Sequence, residues 1–310
     1  MQRIQYHQYG GPGVMRLESY APAPPGTQQI LVRVKAASIN PLDWKLRQGF
    51  MKFMMGRRFP RGMGLDFTGV IDAIGPGVRG LAIGDAVLGT APMMAPDAFA
   101  ETVLTAADLV VKKPAALPFP AAAALPSVGV TAWRALIEAG KLKAGQSVFI
   151  NGAAGGVGQA AIAIAKAFGA VVTARVGSSA AVLADSWGLD RVIDYNAPLP
   201  QDLGGRFDIV FDCHGSLTAK EEEWLLKRTG VAIDIDVTFG NLLRSLVSSK
   251  HRFVRGLPSP TILKTIADLA AAGKLPLTVG RTARLADAIA LIGDLETGKR
   301  VPGKAVIVME

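Results

Sequence analysis

The residues best suited to chemistry lie in one short run: Ser147-Val148-Phe149-Ile150-Asn151-Gly152-Ala153-Ala154-Gly155-Gly156-Val157-Gly158-Gln159. A β-branched and aromatic stretch feeds a turn of small residues, and the apolar helical pattern Ile162–Phe168 follows. Small residues at such a turn let the backbone approach a pyrophosphate. The helix start then offers unpaired N–H groups and a partial positive charge to the phosphates. Ala153 stands in the first glycine position of this fingerprint, Ala154, Gly155, Gly156 and Val157 follow through the turn, and Gly158 is the close-packing glycine. All six are candidate cofactor contacts. The plainer account is a tight turn before an ordinary helix. A strand before the turn and a helix after it, where the fingerprint needs them, favour the dinucleotide site.

The next strand, Val171–Ala174, bears on which dinucleotide. Sites that prefer NAD carry an acidic residue about 20 residues past the glycines, on the ribose 2′-hydroxyl. Here the strand runs into Arg175-Val176-Gly177-Ser178-Ser179, with no Asp or Glu before Asp185. A guanidinium fork at Arg175 and the hydroxyl of Ser178 suit a 2′-phosphate, which points to NADPH. A solvated arginine and a serine N-cap are the alternative.

These segments need a scaffold of alternating strands and helices, and the chain supplies one after Gly145. Strands are expected at Val148–Asn151, Val171–Ala174, Arg191–Asp194, Asp208–Asp212 and Val231–Asp236, with helices at Ala180–Trp187 and Trp224–Arg228. Such alternation builds a doubly wound parallel sheet. The first third reads instead as short strands between Gly/Pro turns, including Ile30–Ala36, Phe67–Ile74 and Asp85–Leu88, which suggests a small barrel. Helices are expected at Ala121–Leu125, Val128–Ala139, Thr261–Ala272 and Leu285–Glu296, and a last strand at Ala305–Met309.

The 310 residues fit two domains of ordinary size. One cysteine, Cys213, excludes an internal disulfide framework and a multi-cysteine zinc site. The chain has no 18-residue apolar run and no apolar signal core at its start, so no membrane partner and a cytoplasmic location are expected. The net charge of +9 is scattered and lacks an aromatic-interleaved stripe, which disfavours a nucleic-acid partner and suits anionic ligands.

Several segments together resemble the medium-chain dehydrogenase/reductase superfamily, in its zinc-free quinone oxidoreductase and enone reductase branch. They are Ala36–Gly49, Gly64–Val70, Gly84–Val87, Gly129–Trp133 and Asn151–Gly158. The resemblance implies an α/β protein with a GroES-like β-barrel domain (1–123 and 272–310) and a Rossmann doubly wound parallel-sheet domain (124–271). It also implies an active site in the cleft between them and a homodimer. Zinc-dependent relatives carry a Cys where this chain has Asn40 and a His-Glu pair where it has Leu65-Asp66. They also carry four clustered cysteines. His7, His214 and His251 show no ligand spacing, so no metal is expected.

The activity implied is NADPH-dependent reduction of a quinone or an α,β-unsaturated carbonyl. Hydride transfer needs an orienting group and a stabiliser for charge developing on the acceptor oxygen. Asn40 is the candidate for orienting the carbonyl, with a turn residue before Pro41 as the alternative. Lys45 is the candidate cation, against a solvated helix lysine. Asp43 either holds Lys45 or caps a helix over Trp44–Gln48. Asp43, Met51, Met54 and Met93 are candidate pocket residues, the methionines as an adaptable apolar lining, with a disordered surface loop as the equal alternative. The resemblance places Thr131 near the nicotinamide or its phosphate, with helix packing as the alternative. His214 stands in Asp212-Cys213-His214-Gly215, where relatives often have two glycines, and is taken as a cofactor contact. A non-catalytic NADPH-binding redox sensor or nucleic-acid-binding protein is the competing function.

Overall fold

A computed structural model describes residues 1–177, 180–235, 248 and 250–309. In chain order the strands are β1 (Gln2–Tyr6), β2 (Met15–Ser19), β3 (Gln29–Ser38), β4 (Arg61–Gly62), β5 (Asp66–Ile74), β6 (Ala86–Thr90), β7 (Thr102–Ala106) and β8 (Val110–Lys112). Then come β9 (Ser147–Asn151), β10 (Val171–Val176), β11 (Arg191–Asp194), β12 (Phe207–Asp212), β13 (Leu226–Asp234), β14 (His251–Phe253), β15 (Val279–Arg284) and β16 (Lys304–Val308). The chain forms two compact units: Met1–Ser127 with Pro258–Ala271 and Val279–Glu310, and Val128–Leu257 with Ala272–Thr278.

The first unit is the GroES-like one. A seven-stranded sheet runs β15-β16-β3-β5-β6-β8, with β7 also on β3, and a three-stranded sheet runs β2-β1-β4. On β3, Ile30, Val32 and Val34 are buried and Arg33 is exposed, the two-residue alternation of a half-buried strand. The final strand β16 pairs antiparallel with β3. That pairing brings the end of the chain beside Ser38, where β3 gives way to helix α1 (Pro41–Arg47).

The second unit is the Rossmann one. Its sheet is parallel throughout, in the order β11-β10-β9-β12-β13-β14. Val148–Ile150 of β9 and Ile209–Phe211 of β12 are apolar and buried, the continuous apolar run of a central parallel strand. Phe149 and Phe207 meet edge to face at 5.2 Å, worth about 0.5–1.5 kcal/mol beyond burial.

Local readings and tertiary structure part company in several places. A helix over Trp224–Arg228 does not form. The helix is Ala219–Leu225, started by Thr218 and Glu221 in a reciprocal cap, and β13 begins at Leu226. The strand expected at Val231–Asp236 is the second half of β13, and residue 236 lies outside the described residues. The stretch Val128–Ala139 is an α-helix to Trp133 and a π-helix from Arg134. The edge strand β14 escaped sequence reading, because three residues carry no usable period.

Candidate active site

The first unit gathers a buried polar cluster where β3 meets α1. Pro41 opens the helix at a position that needs no N–H, and Asn40 is its N-cap. Asp43 sits at the third helical position, and its Oδ2 accepts the Asn40 backbone N–H at 2.7 Å. Asp43 therefore belongs to a cap on a helix that starts at Pro41, not at Trp44. Asn40 Nδ2 donates to Asp66 Oδ2 at 3.0 Å, and Asn40 Oδ1 accepts from Lys304 Nζ at 2.6 Å. Ser127 Oγ donates to Asp66 Oδ1 at 2.6 Å, and Lys304 Nζ donates also to the Ile39 carbonyl at 2.7 Å. Asn40, Asp43, Asp66 and Lys304 are all buried.

Burial sets the proton affinities here. It pushes the Asp66 carboxyl above the ordinary carboxylate range, against Lys304 and the hydrogen bonds from Ser127 and Asn40. It pushes Asp43 up as well, with Asp66 adding to the rise and the Asn40 N–H opposing it. It pushes the Lys304 ammonium down, opposed by Asp66 and then Asp43.

Lys45 is exposed on α1, two residues from Asp43 and so on a different face of the helix. Met51 and Met93 are half-buried and pack on the apolar cluster of Leu46, Met55 and Leu65. Met54 does not join them and is 70 % exposed.

In the second unit the glycine turn follows β9. Gly152 adopts φ +76°, and Gly155 is the N-cap of α5 (Gly156–Ala167). A Cβ on Gly158 would stand 2.5 Å from the Gly152 carbonyl oxygen and 2.6 Å from the Ala153 Cα, so only glycine fits. Gly155, by contrast, is exposed, and a Cβ there would meet only the Gly152 carbonyl, at 3.6 Å. Ala153 is buried, while Ala154, Gly156 and Val157 are half-buried at the helix start. These features fit a pyrophosphate on the helix N-terminus. Gln159, which sequence reading passed over, is buried; it donates to the Ala154 carbonyl at 3.1 Å and accepts from Thr278 N at 2.9 Å.

At the carboxyl edge of the sheet, Arg175 lies 4.9 Å from the Tyr195 ring centre and donates to the Ala197 carbonyl at 3.0 Å. The Tyr195 hydroxyl bonds Ser216 Oγ at 2.8 Å and His214 Nδ1 at 3.1 Å. Asp212 accepts from the His214, Gly215 and Leu217 backbone N–H groups and from Asn151 Nδ2. These bonds tie the end of β12 to the end of β9. Arg175 and His214 are thus brought to one place through Tyr195, which sequence reading missed. Its signal was its position, directly after β11, where ligands of such sheets bind. Thr131 lies buried on the helix Pro126–Trp133. Ser178 lies outside the described residues. The Cys213 thiol is raised well above its ordinary value by burial and by Asp212, which keeps it protonated.

The fold also assembles what histidine spacing does not show. Glu222, Asp234 and His251 are buried with one ligand-type atom each, all within 4.8 Å of one another. His251 Nδ1 is 3.5 Å from Glu222 Oε2, a contact joining the helix Ala219–Leu225 to β14.

Comparison with known proteins agrees with this architecture. Residues 26–115 match the alcohol dehydrogenase GroES-like domain, and residues 187–307 match the zinc-binding dehydrogenase family. The chloroplast envelope quinone oxidoreductase homolog of Arabidopsis thaliana is 30 % identical over 296 residues, covering 90 % of each chain. The 2-methylene-furan-3-one reductase of Solanum lycopersicum is 37 % identical over 224 residues, 69 % of this chain and 57 % of that protein. Among solved structures, the quinone oxidoreductase from Coxiella burnetii superposes with a TM-score of 0.92 at 29 % identity, covering 100 % of this chain and 99 % of that one. The Escherichia coli quinone oxidoreductase complexed with NADPH gives 0.85 at 26 % identity, covering 99 % and 100 %. The chain belongs to the medium-chain dehydrogenase/reductase superfamily, and its relatives there include quinone oxidoreductases. It is an NAD(P)H-dependent oxidoreductase by family. Among the described residues, no helix is long and apolar enough to cross a membrane.

Zinc, implied by one family description, can be tested against the residues present. Where zinc-dependent relatives have a thiolate, this chain has the Asn40 amide, already bonded to Lys304 and Asp66. Where they have an imidazole, it has Leu65, packed in the methionine cluster. A cation already occupies the surroundings, as the Lys304 ammonium. These residues do not fit a catalytic zinc.

Proposed function

We propose that this protein reduces quinones or α,β-unsaturated carbonyls by hydride transfer from NADPH without zinc. The observation that carries the reading is the edge of the parallel sheet. The glycine turn and the start of α5 form a phosphate cradle, and Arg175, not a carboxylate, stands at the end of β10. The bound nicotinamide supplies the hydride.

The remaining work falls to the chain. The turn Ala153–Gly158 holds the pyrophosphate, and Arg175 holds the 2′-phosphate with Ser178. Thr131 and His214 serve the nicotinamide side. Asn40 orients the acceptor carbonyl, with Asp43, Met51 and Met93 around it and Lys45 as the nearby cation. A quinone or enone spreads the developing negative charge, so moderate donors suffice and no Lewis acid is required.

The test is NADPH oxidation with a simple quinone and a simple enone, before and after exhaustive chelation, with elemental analysis of the same sample. Turnover that survives chelation is expected. About one zinc per chain, with turnover lost on its removal, would refute the zinc-free reading. NADPH binding with no turnover of either substrate would favour the redox-sensor function instead.

A further inference from the structure

A lysine from the last strand lies inside the first unit. Lys304 is 4 % exposed, and its ammonium donates to the Ile39 carbonyl at 2.7 Å and to Asn40 Oδ1 at 2.6 Å. The other end of the same amide donates to Asp66 at 3.0 Å, and Asp66 is fully buried. A buried ammonium persists only where hydrogen bonds and a counter-charge replace its water. Two carbonyl oxygens supply the bonds, and Asp66 is the larger source of counter-charge, ahead of Asp43.

The amide between them has one permitted orientation. Turned over, it would aim Nδ2 at the ammonium and Oδ1 at the carboxylate, which are two repulsive contacts in place of two attractive ones. We infer that Lys304 is the resident cation of this site. It is a positioning residue that compensates Asp66 and locks the Asn40 amide. The consequence for turnover rests on the reading above, in which Asn40 faces the acceptor. The pairing itself does not.

Four variants test this: Lys304→Met, Lys304→Arg, Asp66→Asn and the double variant Lys304→Met/Asp66→Asn. Melting temperature is read first, because it is independent of the reaction. Lys304→Met strands a buried carboxylate and melts low. Adding Asp66→Asn removes that carboxylate, so the double variant melts above Lys304→Met. If Lys304→Met does not fold and the double variant does, the same conclusion holds. Lys304→Arg keeps the charge and also melts above Lys304→Met. Additive melting shifts, or a Lys304→Arg protein no more stable than Lys304→Met, would overturn the inference.

Kinetics come second. Lys304→Met is expected to lower kcat with a quinone roughly tenfold or more while leaving KM for NADPH unchanged, with part of the loss recovered in Lys304→Arg. Coupled melting shifts with an unchanged kcat would uphold the lysine pairing and instead remove Asn40 from the reaction.

Discussion

Arg175 shows how much of a functional claim can hang on one side chain. Its guanidinium rests on the Tyr195 ring and gives one N–H to the Ala197 carbonyl, so its plane is held before any ligand arrives. A preset fork loses little freedom on pairing with a phosphate. Charge-assisted hydrogen bonds contribute roughly 1.5–3 kcal/mol each, which is about tenfold or more in affinity. Arg175→Ala should therefore raise KM for NADPH by at least about tenfold and move KM for NADH little. Steady-state kinetics with both cofactors checks this. Equal losses would mean that the arginine supports the Tyr195–His214 cluster and does not read the 2′-phosphate. Lys45, by contrast, is exposed, and an exposed cation contributes less to a developing charge than a buried one.

At the scale of elements, the decisive feature is how closely α5 approaches the turn before it. Gly158 leaves no room for a methyl group between the helix and the Gly152 and Ala153 backbone. Backbone cannot give way as a flexible side chain can, so Gly158→Ala must push the first turn of the helix outward. Overpacking of this kind costs about 1–3 kcal/mol. It also moves the N–H groups that would meet a pyrophosphate. The expected result is a lower melting temperature together with at least a tenfold weaker NADPH affinity, measured by fluorescence titration. A Gly155→Ala control meets only ordinary contact and should perturb the fold less. Affinity retained in Gly158→Ala would show that the helix start does not hold the phosphates.

At the scale of the whole molecule, buried carboxyls in the GroES-like unit make stability depend on pH. Burial first, then Asp66, raises the Asp43 carboxyl from 3.8 to about 8. A raised value means that the folded chain binds the proton more tightly than the unfolded one. That contribution is complete below the unfolded value and is lost as the pH rises through the folded one. The wild type should therefore lose stability relative to Asp43→Asn as the pH rises from 3.8 to about 8, the window spanned by those two values. Urea unfolding of both proteins across that range measures it. Parallel pH profiles would show that Asp43 is ionised in the fold throughout.

What the sequence determined by itself was whatever depends on neighbours along the chain. The glycine turn, the alternation of strands and helices after Gly145 and the missing acidic residue past Val171–Ala174 are local patterns with local causes. They sufficed for the doubly wound parallel sheet and for a family that binds a nicotinamide cofactor. Tertiary structure decided the rest. Residues 226–228 became strand because β13 pairs with β12, which outweighed a short helical pattern. Tyr195 joined Arg175 and His214 because parallel strands deliver their ends to one edge, whatever their order in the chain. Met54 left the methionine group because a four-residue helix has one buried face, and Met55 took it. Lys304 reached Asn40 across 264 residues only through the pairing of β16 with β3. No period or spacing encodes such a contact. It exists because a buried ammonium and a buried carboxylate lower each other's cost only when the fold brings them together.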